Sequence, residues 1–265
     1  RTAEPPRRPP VAGDRLMALA FETDDGLGAR AALGLIVLQT DETIEAEFKS
    51  MINLDDVCLY HSRVPSAAEV TPEALARMEA EIPRAVSLLP PNAPLGVIGY
   101  ACTSGATIIG EDKIAAAITS ARPGVKTSNP ISAAKAAFRA LGLNRLAFVS
   151  PYVAAVSLAM RGNLERAGFE VSAFSSFLQG EERIVTRISP DSVLAAVCDI
   201  GSRHDCDGVF VSCTNLRTSG IIEEAEKRLG KPVISSNLAL AWHMLRLAGI
   251  DDCITGKGRL LQTGL

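Results

Sequence analysis

Two cysteines stand where a chain can do chemistry with them. In Gly96-Val97-Ile98-Gly99-Tyr100-Ala101-Cys102-Thr103-Ser104-Gly105 a short apolar run ends in Cys102, then come two hydroxyl residues and a glycine. Gly208-Val209-Phe210-Val211-Ser212-Cys213-Thr214-Asn215 repeats the arrangement half a chain later. Each reads as strand, tight turn and helix, with helices expected over 106–120 and 220–229. Backbone N–H groups and the helix dipole at such a turn favour a thiolate or a bound anion. Free cysteine ionises near pH ~8.5, so a modest downward shift makes it a base near neutrality. Two thiols facing each other across one carbon would remove a proton on one side and return one on the other. That chemistry needs no cofactor.

The remaining candidates are weaker. Cys58, Cys198 and Cys253 lie in apolar surroundings and read as core residues. Cys206, between Asp205 and Asp207, reads as exposed and without a role. There is no GxGxxG and no Walker loop, and Gly256-Lys257-Gly258 reads as a basic turn. The nearest thing to a metal spacing, His204-Asp205-Cys206 with Cys213, lacks a CxxC partner, so no metal site is expected. A Ser/His/Asp hydrolase finds no G-x-S-x-G. His204 lies in a charged loop and His243 inside the last helix, which leaves His61, at a strand end, as the one histidine placed for a site. Tyr152, behind Ser150-Pro151, is placed either to donate its hydroxyl to a substrate oxygen or to serve as an ordinary turn tyrosine.

The elements that must position these residues alternate throughout. Strands are expected at 33–38, 57–60, 96–101, 124–128, 145–150, 170–174, 208–211 and 231–236. Helices are expected at 44–53, 71–88, 106–120, 131–141, 153–167, 191–202, 220–229 and 238–248, and 178–188 reads as a polar loop. Continuous apolar runs such as Leu33-Gly34-Leu35-Ile36-Val37-Leu38 suit strands covered on both faces. Strand–helix alternation implies parallel sheets with right-handed crossovers. The fold class is therefore α/β: two Rossmann-like parallel-sheet halves related by a pseudo-twofold, with the active site in the cleft between them. Residues 1–13, rich in Pro and Arg, read as a disordered tail. The first domain is placed at 14–126 plus 237–265 and the second at 127–236. Ligands of such sheets sit beyond the carboxyl ends of the strands. The polar residues there are Gln39-Thr40-Asp41, His61-Ser62, Cys102-Thr103-Ser104, Ser150 with Tyr152, Cys213-Thr214-Asn215 and Ser235-Ser236-Asn237.

With 47% hydrophobic and 22% charged residues over 265 positions, the chain has a full globular core and needs no disulfides. A net charge of −3 argues against a nucleic-acid or anionic-membrane partner. No apolar run approaches the roughly 18–20 residues that span a bilayer. A cytoplasmic protein with reduced thiols is expected.

Taken in order, Gly-Tyr-Ala-Cys102-Thr-Ser-Gly, Val-Ser150-Pro-Tyr152, Ser-Cys213-Thr-Asn and Pro-Val-Ile-Ser-Ser-Asn237-Leu-Ala-Leu-Ala-Trp resemble the aspartate/glutamate racemase superfamily. The nearest branch is that of maleate cis-trans isomerases and arylmalonate decarboxylases, over roughly residues 31–250. The stretch Gly34 to Glu45 is more similar to ectoine-utilisation proteins of the EutA type. The resemblance implies that Cys102 and Cys213 are paired catalytic cysteines. In the isomerases the first is a nucleophile on the substrate double bond and the second a proton donor. In the racemases they are opposed acid and base, and the decarboxylases keep only the second, with Gly at the first. It further implies that Thr103, Ser104, Tyr152 and Thr214 hold the substrate carboxylate or enediolate, with Asn215 beside them. Relatives commonly self-associate, so a homo-oligomer is implied by analogy. Two positions depart from the maleate isomerases: Asp41 and Glu182 stand where those enzymes carry Asn. Carboxylates there should repel a second substrate carboxylate and attract an ammonium. The expected function is cofactor-independent racemisation or isomerisation of a small carboxylate, such as an ectoine-derived diamino acid. Maleate isomerisation, arylmalonate-type decarboxylation and non-catalytic carboxylate binding are the alternatives.

Overall fold

The computed structural model describes residues 19–24, 26–67, 71–203 and 205–265. The reading of 1–13 as a tail and of His204 as a loop residue lies outside the described residues. Two four-stranded parallel sheets carry the fold, and their strand orders are the same. The first runs β2–β1–β3–β4, from Ala31–Leu38 (β1), Val57–Val64 (β2), Leu95–Ala101 (β3) and Lys126–Ser128 (β4). The second runs β6–β5–β7–β8, from Arg145–Tyr152 (β5), Glu170–Gln179 (β6), Gly208–Val211 (β7) and Val233–Ser235 (β8). All eight residues of β1 and all four of β7 are buried, as expected for strands covered on both faces. Cys102 follows the last residue of β3, and Cys213 lies just past β7, the equivalent strand of the other sheet.

The helices are Ile44–Met51 (α1), Pro72–Arg77 (α2), Ile82–Ser87 (α3), Thr103–Ile109 (α4), Glu111–Ala121 (α5), Pro130–Ala140 (α6), Ala154–Arg166 (α7), Glu182–Val185 (α8), Pro190–Arg203 (α9), Ile222–Leu229 (α10) and Ser236–Leu247 (α11). The C-terminal α11 packs on α6, α1 and β3. It approaches β3 so closely that a Cβ at Gly99 would lie 2.5 Å from the Met244 sulfur. A Cβ there would force the Met244 side chain to move; at the other end of α11, Ser236 bonds both cysteine turns and Asn237 bonds the Thr214 carbonyl. Among the described residues no helix is long and apolar enough to cross a membrane.

Several elements differ from the expectation. Strand β2 runs on to Val64, so that His61 lies inside it, and β6 runs on to Gln179. The single helix over 71–88 is broken into α2, a 3-10 turn at Met78–Glu81 and α3. Pro83 has no N–H to give to a continuing helix, so it sits in the first turn of a new one. The helix over 106–120 starts earlier, at Thr103, and breaks at Gly110, whose φ is 101°. The segment 178–188 is not all loop: it holds α8, which carries Glu182 inward.

Candidate active site

Cys102 caps α4. Its Sγ accepts the N–H of Gly105 at 3.1 Å and lies 3.5 Å from the Ser104 hydroxyl. The turn is tight because Gly105 has no side chain: a Cβ there would stand 2.7 Å from the Tyr100 hydroxyl and 3.0 Å from Cys102 Sγ. Cys213 has other supports. Tyr152, at the end of β5, donates its hydroxyl to Cys213 Sγ at 2.9 Å, and the Asn215 N–H donates at 3.2 Å.

The two turns are bonded to one another. Thr103 donates to the Ser236 hydroxyl at 2.8 Å, and the same oxygen accepts the Cys213 N–H at 3.1 Å. Thr214 donates to the Ala101 carbonyl at 3.4 Å. The thiols are closed off from solvent, Cys102 at 2% and Cys213 at 0% exposure.

Asp41 and Glu182 complete the site. Asp41 Oδ1 accepts the N–H groups of Thr43 and Ile44 at 2.8 and 2.9 Å, so Asp41 supplies an acceptor at the start of α1. Its other oxygen, Oδ2, is buried without a hydrogen-bond partner. Glu182 Oε2 accepts Asn215 Nδ2 at 2.9 Å. Neither carboxyl is in an ion pair among the described residues. Arg63, the nearest cation to act on Asp41, spends its guanidinium on the Leu38 and Asp41 carbonyls and on Glu45.

The electrostatics follow from burial. Burial, with the Glu182 and Asp41 charges adding to it, pushes Cys102 up to about 12 against the Ser104 hydroxyl and the Gly105 N–H. Cys213 is held well above the ordinary thiol range by burial and by Glu182, against the Tyr152 hydroxyl and the Asn215 N–H. The helix-dipole expectation of an easily ionised thiol is therefore reversed in the closed site, because desolvation outweighs a few N–H contacts. Burial also raises Glu182, to about 7, with Asp41 adding to it, and raises Asp41 itself. Tyr152 is raised well above the usual phenol range and remains a hydroxyl donor.

All nine residues singled out in the sequence (Asp41, Cys102, Thr103, Ser104, Tyr152, Glu182, Cys213, Thr214 and Asn215) are brought to this region and buried. His61 is not: it is exposed on β2, an edge strand, in a groove lined by Glu45, Lys49 and Leu59. His243 bonds Ser128 at 2.8 Å, and burial lowers its pKa to about 4. Of the cysteines read as core, Cys253 is exposed and Cys58 and Cys198 are half-buried, while Cys206, read as exposed, is buried. Among the described residues no group of three His, Cys, Asp or Glu side chains is arranged to hold a metal ion.

Sequence reasoning missed Glu47. It is buried on α1 and takes the Thr218 and Ser219 N–H groups on one oxygen and the Thr218 hydroxyl and Asn237 amide on the other. A signal existed: Ile44, Glu47, Phe48 and Met51 fall at the spacing of one helix face, so an acid sits inside an apolar stripe.

The fold is shared with proteins of known activity. The sequence model of the arylmalonate decarboxylase family (Amdase) matches residues 111–261. That span contains Cys213 and stops short of Cys102. The maleate isomerase of Nocardia farcinica is 27% identical over 240 residues, covering 87% of this chain and 95% of that one. The arylmalonate decarboxylase of Bordetella bronchiseptica is 32% identical over 126 residues, 47% of this chain and 52% of its own. Among solved structures, a cysteine-to-serine mutant of the Nocardia farcinica maleate cis-trans isomerase with a covalently bound succinylcysteine intermediate superposes with a TM-score of 0.79. It is 25% identical and covers 88% of this chain and 98% of that one.

Proposed function

The chain belongs to the arylmalonate decarboxylase family, in the maleate isomerase branch of the aspartate/glutamate racemase superfamily, and we propose that it is a cofactor-independent isomerase of a small carboxylate. Cys102 and Cys213 are its acid/base pair. The observation that carries this reading is the pair of buried thiols at equivalent strand ends of two like sheets, their turns bonded to each other. In the racemase form, one thiolate takes the α-proton, and the electron pair passes into the substrate carboxylate as an enediolate. The family resemblance assigns the donors around it to Thr103, Ser104, Tyr152, Thr214 and Asn215, which would give up present bonds, such as Tyr152 to Cys213 Sγ and Thr103 to Ser236, to the substrate; a buried donor is worth ~3 kcal/mol to such a charge. The other thiol gives its proton to the opposite face. One proton leaves the substrate, one returns, and the thiols exchange protonation states. The site lies between a first body, 14–126 plus 237–265, and a second, 127–236.

The finer reading is a substrate that carries an ammonium group, such as an ectoine-derived diamino acid. Two features support it. Asp41 and Glu182 act electrostatically on both thiols, and among the described residues neither is in an ion pair with a side-chain cation. Both carboxyls also raise the thiol pKa values, so a cation between them would ease thiol ionisation at the moment substrate binds. A carboxylate-only substrate would meet two like charges instead. The second reading, maleate isomerisation, has Cys102 adding to the double bond and Cys213 protonating the neighbouring carbon; it is favoured by the relatives of known activity.

The test is α-proton exchange in D2O followed by NMR over aspartate, glutamate, diaminobutyrate and its acetyl derivatives, maleate and phenylmalonate. Exchange with inversion on the diamino acids supports the finer reading. Maleate turning to fumarate, with no exchange on the diamino acids, replaces it with the second. Carbon dioxide release from phenylmalonate that survives Cys102→Ala points to a decarboxylase. A ligand that raises the melting temperature and never exchanges its α-proton points to a binding protein.

A further inference from the structure

Glu47 touches neither thiol, yet its four donors belong to the segment that follows Cys213 and to the start of α11. Oε1 accepts the N–H groups of Thr218 and Ser219, the latter at 2.8 Å. Oε2 accepts the Thr218 hydroxyl at 2.9 Å and Asn237 Nδ2 at 2.8 Å. That same Asn237 nitrogen donates to the carbonyl of Thr214, the residue after Cys213, at 2.8 Å. One carboxylate on α1, beside the first sheet, thus ties down both ends of the 214–219 turn of the second. No helix stabilises this turn locally, since α10 begins only at Ile222.

An acceptor-only group is required here. All four partners are N–H or O–H donors, and a carboxylate has lone pairs for four. A glutamine would turn its NH2 toward one pair of them and leave buried donors unpaired. A groove of about 480 Å3 is lined by Glu42, Glu47, Arg217 and Ser219, so the clamp borders a surface depression.

We propose that Glu47 is the positioning residue of Cys213: it fixes the turn after that thiol from across the interface, whereas the Cys102 thiol keeps the cap of its own helix. The proposal rests on the two-thiol reading only for its kinetic half. The thiol that serves one enantiomer is displaced by losing the clamp, and the other is not.

The test compares wild type, Glu47→Gln, Glu47→Asp, Cys102→Ser and Cys213→Ser by two readouts. The first is iodoacetamide labelling of each thiol, followed by mass spectrometry. Glu47→Gln is expected to label Cys213 about tenfold faster, the effect of losing a hydrogen bond to a charged group, with Cys102 changed less than about twofold. The second is deuterium incorporation from D2O started from each enantiomer of the exchanging substrate. Glu47→Gln is expected to slow exchange without inversion about tenfold more for one enantiomer than for the other, in the sense shown by Cys213→Ser, while inversion falls equally in both directions because the two enantiomers are equal in free energy. Glu47→Asp keeps the charge and is expected to fall between. Equal acceleration of labelling at both thiols overturns the proposal, as does no change at Cys213. If labelling is selective but neither cysteine variant biases exchange, Glu47 stands as a positioning residue and the two-thiol reaction falls.

Discussion

The two cysteine turns occupy the same place in two sheets of the same order, and they are held in opposite ways. Cys102 is supported locally: it caps α4, and its donors, Ser104 and Gly105, are its own near neighbours in the chain. Cys213 is supported from afar. Tyr152 reaches it from β5, and its turn is bonded across the interface. Asn215 donates to Thr40 O and Glu182 and accepts the Glu42 N–H, while Thr43 donates to the Asn215 carbonyl. Repeated topology therefore does not mean repeated support. A helix cap is formed with its own half, whereas the Cys213 turn is complete only when the two halves meet. The Arg187–Glu42 ion pair and the Thr43–Thr186 contact lie at that same seam.

The largest expected effect treats the turns alike. Cys102→Ala and Cys213→Ala should each lower inversion of the preferred substrate by about a thousandfold or more, as loss of a group that acts only in the transition state does. Initial rates by polarimetry check this, and a variant that keeps a tenth of the wild-type rate breaks the symmetry of roles.

Next comes Glu182, which bears on the Cys213 turn through Asn215. Its carboxyl is raised from 4.5 to about 7, chiefly by burial. The folded chain then binds more protons than the unfolded chain between those values. Its contribution to stability is most favourable below about 4.5, falls as pH rises to about 7, and is level above, a change of roughly 3 kcal/mol. Burial lowers His243 from 6.5 to about 4, which gives an opposite slope over nearly the same range, so the Glu182 contribution is read as the difference between the wild-type and Glu182→Gln profiles from urea unfolding at stepped pH. Equal slopes in the two would detach Glu182 from the buried site.

Gly105→Ala probes the Cys102 turn alone. The new methyl meets the Tyr100 hydroxyl and Cys102 Sγ inside contact distance, so a loss of about 1–3 kcal/mol is expected on overpacking grounds. The melting temperature reads it, and an unchanged value would mean that the turn is looser than its geometry. The smallest effects separate the two supports. Tyr152→Phe removes the side-chain donor of Cys213 and should slow turnover about tenfold, whereas Ser104→Ala, at 3.5 Å from Cys102, should cost about twofold. The reverse ranking would contradict the assignment of a local support to Cys102 and a distant one to Cys213.

What was legible in the sequence is what short-range physics writes there. Apolar runs that stop at Cys-Thr mark buried parallel strands and their ends, so the sheets and the rim of polar residues could be read directly. The breaks at Pro83 and Gly110 were there to be read as well, but amphipathic spacing across them was the stronger pattern. What stayed hidden depends on the closing of two halves. Glu47 looks like a solvated helix residue unless its place in the Ile44–Met51 stripe is noticed. The ionisation of the thiols was misjudged because a strand-end turn suggests helix N–H groups, while full burial is decided by what packs over it. His61 reads as a strand-end residue but lies in the middle of β2, which runs on to Val64, and on an edge strand, which only the strand order reveals.

The most direct measurement of the central claim is the fate of the α-proton in a single turnover. Each enantiomer of the exchanging substrate is incubated in D2O with excess wild type, Cys102→Ala or Cys213→Ala, and the position of deuterium is read by NMR. Two opposed thiols predict inverted product carrying solvent deuterium from wild type, and no inversion from either variant. Inversion that survives in either single-thiol variant would contradict the account.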